Sequence, residues 1–184
     1  MTRRAPRVRL AISTDAAAIA DAHIRGWQAA YRGLVPDRIL DRFDAARRTA
    51  WWAERIAAQA DADAEERTWV VVAGGAVAGF AASAPAGAEA APPPAGAGEV
   101  FAIYLAPELL GRGLGRVLFE HAVGDLRARG FGPIVVWVFE ANDRARRFYE
   151  AAGFLPDGAR HVGRFDDVGI PEIRYRLGTS LGTD

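Results

Sequence analysis

The chain has 184 residues, 51% of them hydrophobic, which suits one globular domain with a sizeable core. Its 23 basic residues balance 23 acidic ones, so no net field marks it for bulk nucleic acid or a membrane surface. Cysteine and lysine are both absent, which excludes disulfides, thiolate zinc sites, a cysteine nucleophile, Schiff-base chemistry and a P-loop lysine.

Arg7-Val-Arg-Leu-Ala-Ile12 alternates as a strand should. Ser13 or Asp15 can cap the helix that follows, which runs to about Tyr31 with Ile19, His23 and Trp27 on one face. Gly33 and Pro36 break it. A second helical pattern spans about Asp37 to Ala60, with Ile39, Leu40 and Phe43 on one side and Trp51, Trp52 and Ile56 continuing the apolar surface. Thr68–Ala73, Gly74-Gly75 and Ala76–Phe80 read as a hairpin with a tight glycine turn. Pro85 to Gly98 is almost only Ala, Gly and Pro, the composition of a flexible loop inside one domain covering 1–184. A strand at Val100–Leu105 follows, then a helix over about Gly113 to Arg129, stopped by Gly130 and Gly132-Pro133. Ile134–Phe139 has the unbroken apolar run of a buried strand. Asn142 can cap the next helix, which carries Ala145, Phe148, Tyr149 and Ala152 on its apolar face and stops at Gly153. The tail from about Arg160 to Leu177 offers two short strands around Asp166-Asp167. His23, His121 and His161 lack metal-ligand spacing and read as surface or packing residues, so no metal is expected. No apolar stretch has spanning length, and the start lacks a signal core, so a soluble cytoplasmic protein with no membrane partner is the default expectation.

Gly111-Arg-Gly-Leu-Gly-Arg116 stands between a strand and a helix start. Glycines there let the backbone approach a ligand, and the first helical turn offers unpaired N–H groups with a partial positive charge. That combination binds phosphate. It is neither a Walker A loop, which needs Gly-Lys-Ser/Thr, nor the GxGxxG dinucleotide fingerprint.

A second segment narrows the choice. Asn142-Asp-Arg-Ala-Arg-Arg-Phe-Tyr-Glu-Ala-Ala-Gly-Phe154 follows the next strand. With the glycine run, it resembles the GNAT superfamily of N-acetyltransferases, whose pattern pairs Gln/Arg-x-x-Gly-x-Gly/Ala with Asn-x-x-Ala-x-x-Phe-Tyr-x-x-x-Gly-Phe. The early Trp27–Pro36 segment also looks like one found in bacterial members. One position departs: Leu110 stands where the family carries Gln or Arg. The resemblance implies an α/β acetyltransferase fold, a mixed central sheet splayed between the fourth and fifth strands and flanked by helices. It implies acetyl-CoA, or a related acyl-CoA, as co-substrate. Backbone of Ile103, Tyr104 and Leu105 would pair with the pantetheine arm. Amides of Gly111, Arg112, Gly113, Leu114, Gly115 and Arg116 would cradle the pyrophosphate, with the arginine side chains compensating for Leu110. Asn142 would face the pantetheine, and Tyr149 would point its hydroxyl at the CoA sulfur. Glu99, opening the central strand, is the candidate base, with Glu140 as the alternative. Trp27 and Tyr31 would line the acceptor side. Arg144, Arg146 and Arg147 would solvate their helix or meet a CoA phosphate. Dimers are common in the family, so a homodimer is among the expected arrangements.

Elementary acid–base chemistry constrains these roles. An amine of pKa near 10.4 is only about one part in a thousand neutral near pH 7.4, a cost of roughly 4 kcal/mol unless a base or water chain removes the proton. Proton transfer from a tyrosine near pKa 10 to a thiolate near 8.5 is uphill by about 2 kcal/mol, so Tyr149 acts first as a hydrogen-bond donor. Without cysteine, direct attack by the amine of a small molecule or peptide in a ternary complex is expected rather than a cysteine-linked acyl-enzyme. A non-catalytic acyl-CoA-binding regulatory module is the competing expectation. Asp166 and Asp167 read as a solvated turn, and Arg3, Arg4, Arg7 and Arg9 as an exposed basic edge.

Overall fold

A computed structural model describes residues 5–61, 63–87 and 91–178, so Arg3 and Arg4 lie outside the described residues. The strands are β1 (Arg7–Leu10), β2 (Arg67–Ala73), β3 (Ala76–Pro85), β4 (Gly98–Leu105), β5 (Ile134–Phe139), β6 (Leu155–Phe165) and β7 (Val168–Leu177). The helices are α1 (Ala16–Tyr31), α2 (Asp37–Leu40), α3 (Ala45–Ala58), α4 (Leu114–Ala128) and α5 (Asp143–Ala151). All seven strands join one sheet in the order β1-β2-β3-β4-β5-β7-β6, with β4 and β5 parallel and the other neighbours antiparallel.

Strand alternation divides the core between the two faces of this sheet. Val71, Ala81, Val136, Val138 and Tyr175 pack against Leu118, Phe119, Ala122 and Leu126 of α4 and Tyr149 of α5. Val70, Phe80 and Ala82 point the other way, onto Ile19 and Ala20 of α1 and Trp52 and Ile56 of α3. A third cluster joins Trp27, Val35, Ile39 and Leu40 to Phe139 and Ile170 at the β5–β7 end. Both layers are dry: Trp52, Phe80, Phe119 and Tyr175 are completely buried or within 1% of it. Burying a side chain of that size contributes about 1.5–3 kcal/mol relative to exposure.

Several boundaries differ from the sequence reading, among them the end of β3, which runs past Phe80 to Pro85. The pattern over Asp37 to Ala60 divides into α2 and α3, because Asp44 breaks it as an N-cap, its carboxylate accepting from the Arg47 amide at 2.7 Å. The α4 helix begins at Leu114 because Gly113 is left-handed (φ 77°). The last hairpin begins earlier than Arg160, at Leu155. A register break between Pro156 and Arg160, with Gly158 at φ 89°, disguises the alternation there. The Ala/Gly/Pro segment is tied to the sheet at its described positions: Ala86 N–H donates to Ala97 O at 2.9 Å, and Arg174 donates to Pro92 O at 2.9 Å. Among the described residues no helix is long and apolar enough to cross a membrane.

Candidate active site

The site begins with an irregularity in β4. Ala82 of β3 pairs with Ala102, but its neighbour Ser83 pairs with Val100, so Phe101 is an extra residue, a β-bulge. The bulge shifts the alternation. Ile103 and Leu105 pack on the α4 side, Ala102 and Tyr104 on the α1 side, yet Val100 returns to the α4 side. Glu99 therefore turns toward α1, where strict alternation from Tyr104 would have sent it into the α4 core. Bulges also bend a strand. β4 pairs with β5 at Gly98–Ile134 and Glu99–Val135, and beyond the bulge the two strands part.

Two cavities open at this splay. One, of about 470 Å³, runs along β4 toward the start of α4 and is lined by Ile103, Tyr104, Leu105, Gly111, Gly113, Gly115, Arg116, Asn142, Phe148 and Tyr149. Its floor is backbone. Gly111 (φ 74°) and Gly113 (φ 77°) adopt the left-handed conformation that other residues resist. Gly115 lies close to the strand's side chains: a Cβ there would stand 2.9 Å from Leu105 Cδ1, which would have to shift. The other cavity, of about 510 Å³, lies on the α1 side and is lined by Trp27, Tyr31, Glu99, Phe139, His161, Phe165 and Glu172, among others. Tyr31, Phe101, Tyr104 and Trp137 border both. They form a wall common to the two cavities.

Most residues singled out from sequence thus converge. Arg112 and Leu114 do not: their side chains border a separate depression with Pro6 and Gly74, leaving their backbone amides as what they can offer the glycine turn. Arg116 is at the rim, paired with Glu120 at 2.7 Å. Arg144 borders the glycine-floored cavity, whereas Arg146 is engaged by the Tyr175 hydroxyl (3.2 Å) and the Glu140 carbonyl (3.2 Å). The Glu140 carboxylate is held by Arg160 at 2.6 Å, away from both cavities' linings. Asn142 caps α5, its Oδ1 accepting from the Ala145 amide at 3.1 Å. Asp166 and Asp167 pair with Arg42 and Arg38 in an exposed turn.

The electrostatics at the splay favour neutral phenols. Burial pushes the Tyr149 hydroxyl well above its ordinary range, and the nearby Tyr31 adds to this. Burial does the same for Tyr104 and for Tyr31, whose contacts with Tyr104 and Asn142 pull it partly back. A buried neutral phenol can donate a hydrogen bond to developing negative charge but yields its proton reluctantly. Burial also raises the Glu172 carboxyl, against the pull of His161, whose Nε2 lies 2.8 Å away.

Glu172, His161 and Phe165 were not among the sequence candidates; His161, read as a surface or packing residue, packs against Trp137 and bonds Glu172. One signal for Glu172 exists. Alternation in β7 puts Ile170, Glu172 and Arg174 on one face, and Ile170 is core. An acid between a core position and a buried arginine is a residue in need of a reason.

Residues 27–154 match the model of the acetyltransferase (GNAT) family. The chain belongs to that family. Its acetyltransferase relatives include a probable N-acetyltransferase of Mycobacterium tuberculosis, 26% identical over 172 residues, covering 93% of this chain and 92% of that protein. The mycothiol acetyltransferase of Beutenbergia cavernae is 44% identical over 64 residues, covering 35% of this chain and 22% of that protein. The chain thus spans less than a quarter of the length of that relative. The PaiA N-acetyltransferase of Thermoplasma acidophilum, solved in complex with coenzyme A, has a TM-score of 0.72 at 15% identity, covering 95% of this chain and 100% of that one. This last likeness is one of fold, and the sheet with its parallel β4–β5 splay is the acetyltransferase fold read from the sequence.

Proposed function

We propose that this chain transfers an acetyl group from acetyl-CoA to a primary amine of a small molecule or peptide, within a ternary complex. The observation that carries the reading is the meeting of two cavities at one wall, with Tyr149 on one side and Glu99 on the other. The glycine-floored cavity suits the thioester. The free edge of Ile103–Leu105 would receive the pantetheine amides. The amides of Gly111–Arg116 and the first turn of α4 would receive the pyrophosphate. The aromatic cavity suits the amine.

In this mechanism the amine nitrogen attacks the thioester carbonyl carbon, a C–N bond forms and the C–S bond breaks. The proton lost by nitrogen leaves toward Glu99. The departing sulfur takes a hydrogen bond from Tyr149, whose raised pKa favours donation over full transfer. The chain has no cysteine, which is consistent with direct attack.

Thermal unfolding with acetyl-CoA, CoA, NAD and ATP tests the donor, because a ligand that binds only the native state raises apparent stability. Acetyl-CoA and CoA should raise Tm, and NAD and ATP should not. A panel of amines with acetyl-CoA then tests turnover. Binding of acetyl-CoA with no turnover of any amine would mark the chain as an acyl-CoA-binding module instead. Binding of ATP or NAD without CoA would overturn the donor assignment.

A further inference from the structure

We propose that the aromatic cavity takes its acceptor as a cation on a slender apolar body without a carboxylate of its own, the ammonium held at Glu172. The inference rests on the acetyl-transfer reading and adds to it the recognition group and the substrate class: Glu172 holds the amine in its protonated form before transfer, and the nitrogen leaves it and gives up that proton toward Glu99 before it attacks. Glu172 lies directly across β5–β7 from Phe139 and across β6–β7 from His161, so the three side chains form one row on the α1 face of the sheet. The carboxylate borders the cavity with only 14% of its side chain exposed. His161 is its positioning residue: Nε2 holds one carboxylate oxygen at 2.8 Å while the ring meets Trp137 edge to face, centroids 4.7 Å apart. Gly163 leaves room for the other oxygen, since a Cβ there would come within 2.6 Å of Glu172 Oε1.

The rest of the wall suits the same ligand. Trp27, Trp137, Phe139 and Phe165 supply aromatic surface, which suits a cation and an apolar chain. Among the described residues, the charged ones bordering the cavity are Glu99, Glu172 and Arg164, with His161 as the further titratable group and the Tyr31 and Tyr104 hydroxyls near Glu172. Arg164 is exposed, at the rim, whereas Glu172 lies within. A desolvated carboxylate with a single fixed partner gains most from a second, positively charged one.

The test is calorimetric titration of the CoA-saturated protein with hexylamine, 2-phenylethylamine, hexanol and phenylalanine, which needs no turnover. The two amines should bind at least about tenfold more tightly than hexanol or the zwitterion, the scale of one charge-assisted contact. Glu172→Gln should erase that margin while CoA affinity stays within about twofold. Gly163→Ala, which moves the carboxylate without removing its charge, should reduce the margin without erasing it. Equal binding of hexanol, phenylalanine as tight as 2-phenylethylamine, or a margin that survives in Glu172→Gln would each overturn the proposal. Failure of CoA to bind would instead overturn the donor assignment, and the amine margin would then be read on the protein alone.

Discussion

The two cavities beside β4 are built from different materials. The one that runs toward the start of α4 includes a stretch of backbone, with a strand edge, left-handed glycines and a helix start, beside side chains such as Phe148 and Tyr149. The one toward α1 is side chains, aromatic rings and a few charges drawn from α1, β4, β5, β6 and β7. Backbone presents the same amides whatever the sequence, so such a surface can hold a ligand shared by many proteins. A surface of side chains can be rewritten residue by residue. Under the proposed function the first holds what is donated and the second chooses what receives it.

Variants can break this division. The largest effect is expected from Tyr149→Phe, which removes one donor at the developing thiolate and should lower kcat about 100-fold or more in steady-state assays. The KM values for both substrates should stay nearly unchanged. A Tyr149→Phe enzyme of full activity would remove the residue from the mechanism. Gly113→Val places a β-branched residue at φ 77°, and the strain should raise the acetyl-CoA KM by about tenfold. If the amine KM rose equally, the cavities would be one site rather than two. Glu99→Gln should lower kcat by about tenfold to a hundredfold, and raising the pH should partly restore it by supplying free amine. Rates that fell without any recovery at high pH would assign Glu99 to structure.

Acid probes the packing behind the shared wall, at Tyr104. His23 stacks on Tyr104 with centroids 5.0 Å apart and accepts from the Trp52 indole at 3.2 Å. Burial, with the nearby Arg48 charge, depresses its pKa to about 3. In the unfolded chain it protonates near the ordinary 6.5, so between these values the unfolded state binds a proton that the folded state refuses. Stability from this residue is complete above pH 6.5 and falls by about 1.4 kcal/mol per pH unit below it, until about pH 3. Chemical denaturation of the wild type and His23→Gln between pH 7 and pH 4 should give a flatter dependence for the variant. Parallel slopes would mean that His23 is accessible to protons. The smallest effect should come from Arg116→Ala. This exposed residue already pairs with Glu120, so the acetyl-CoA KM should rise only about threefold, and less in high salt.

The same contrast explains what could be read from the sequence. Gly111–Arg116 and Asn142–Phe154 are contiguous, so strand, turn and helix signals and their glycines lie side by side in the text. Trp27 and Tyr31 are placed on the acceptor side by the family resemblance. Glu172 and His161 are eleven residues apart in a hairpin whose early half carries a register break. Nothing local brings them to Phe139, because pairing of β7 with β5 is a long-range event. Arg112 is the converse case, bordering the depression with Pro6 and Gly74 rather than the glycine-floored cavity. A motif places a residue beside a ligand but does not say which way its side chain leaves the backbone. The division into α2 and α3 was missed because Asp44 reads equally well as a helix surface residue or a cap.

One consequence of the bulge at Phe101 concerns how this protein can vary. The side of the sheet on which Glu99 sits is fixed by a count of residues, odd or even, between it and Tyr104. No exchange of one amino acid for another alters a count. A complete substitution scan would therefore score Phe101 as a half-exposed ring and miss its main effect. A scan of single-residue deletions would find the effect at once, because removing any residue between Glu99 and Tyr104 turns a carboxylate from one cavity into the opposite core. Parity, here, is inherited separately from identity.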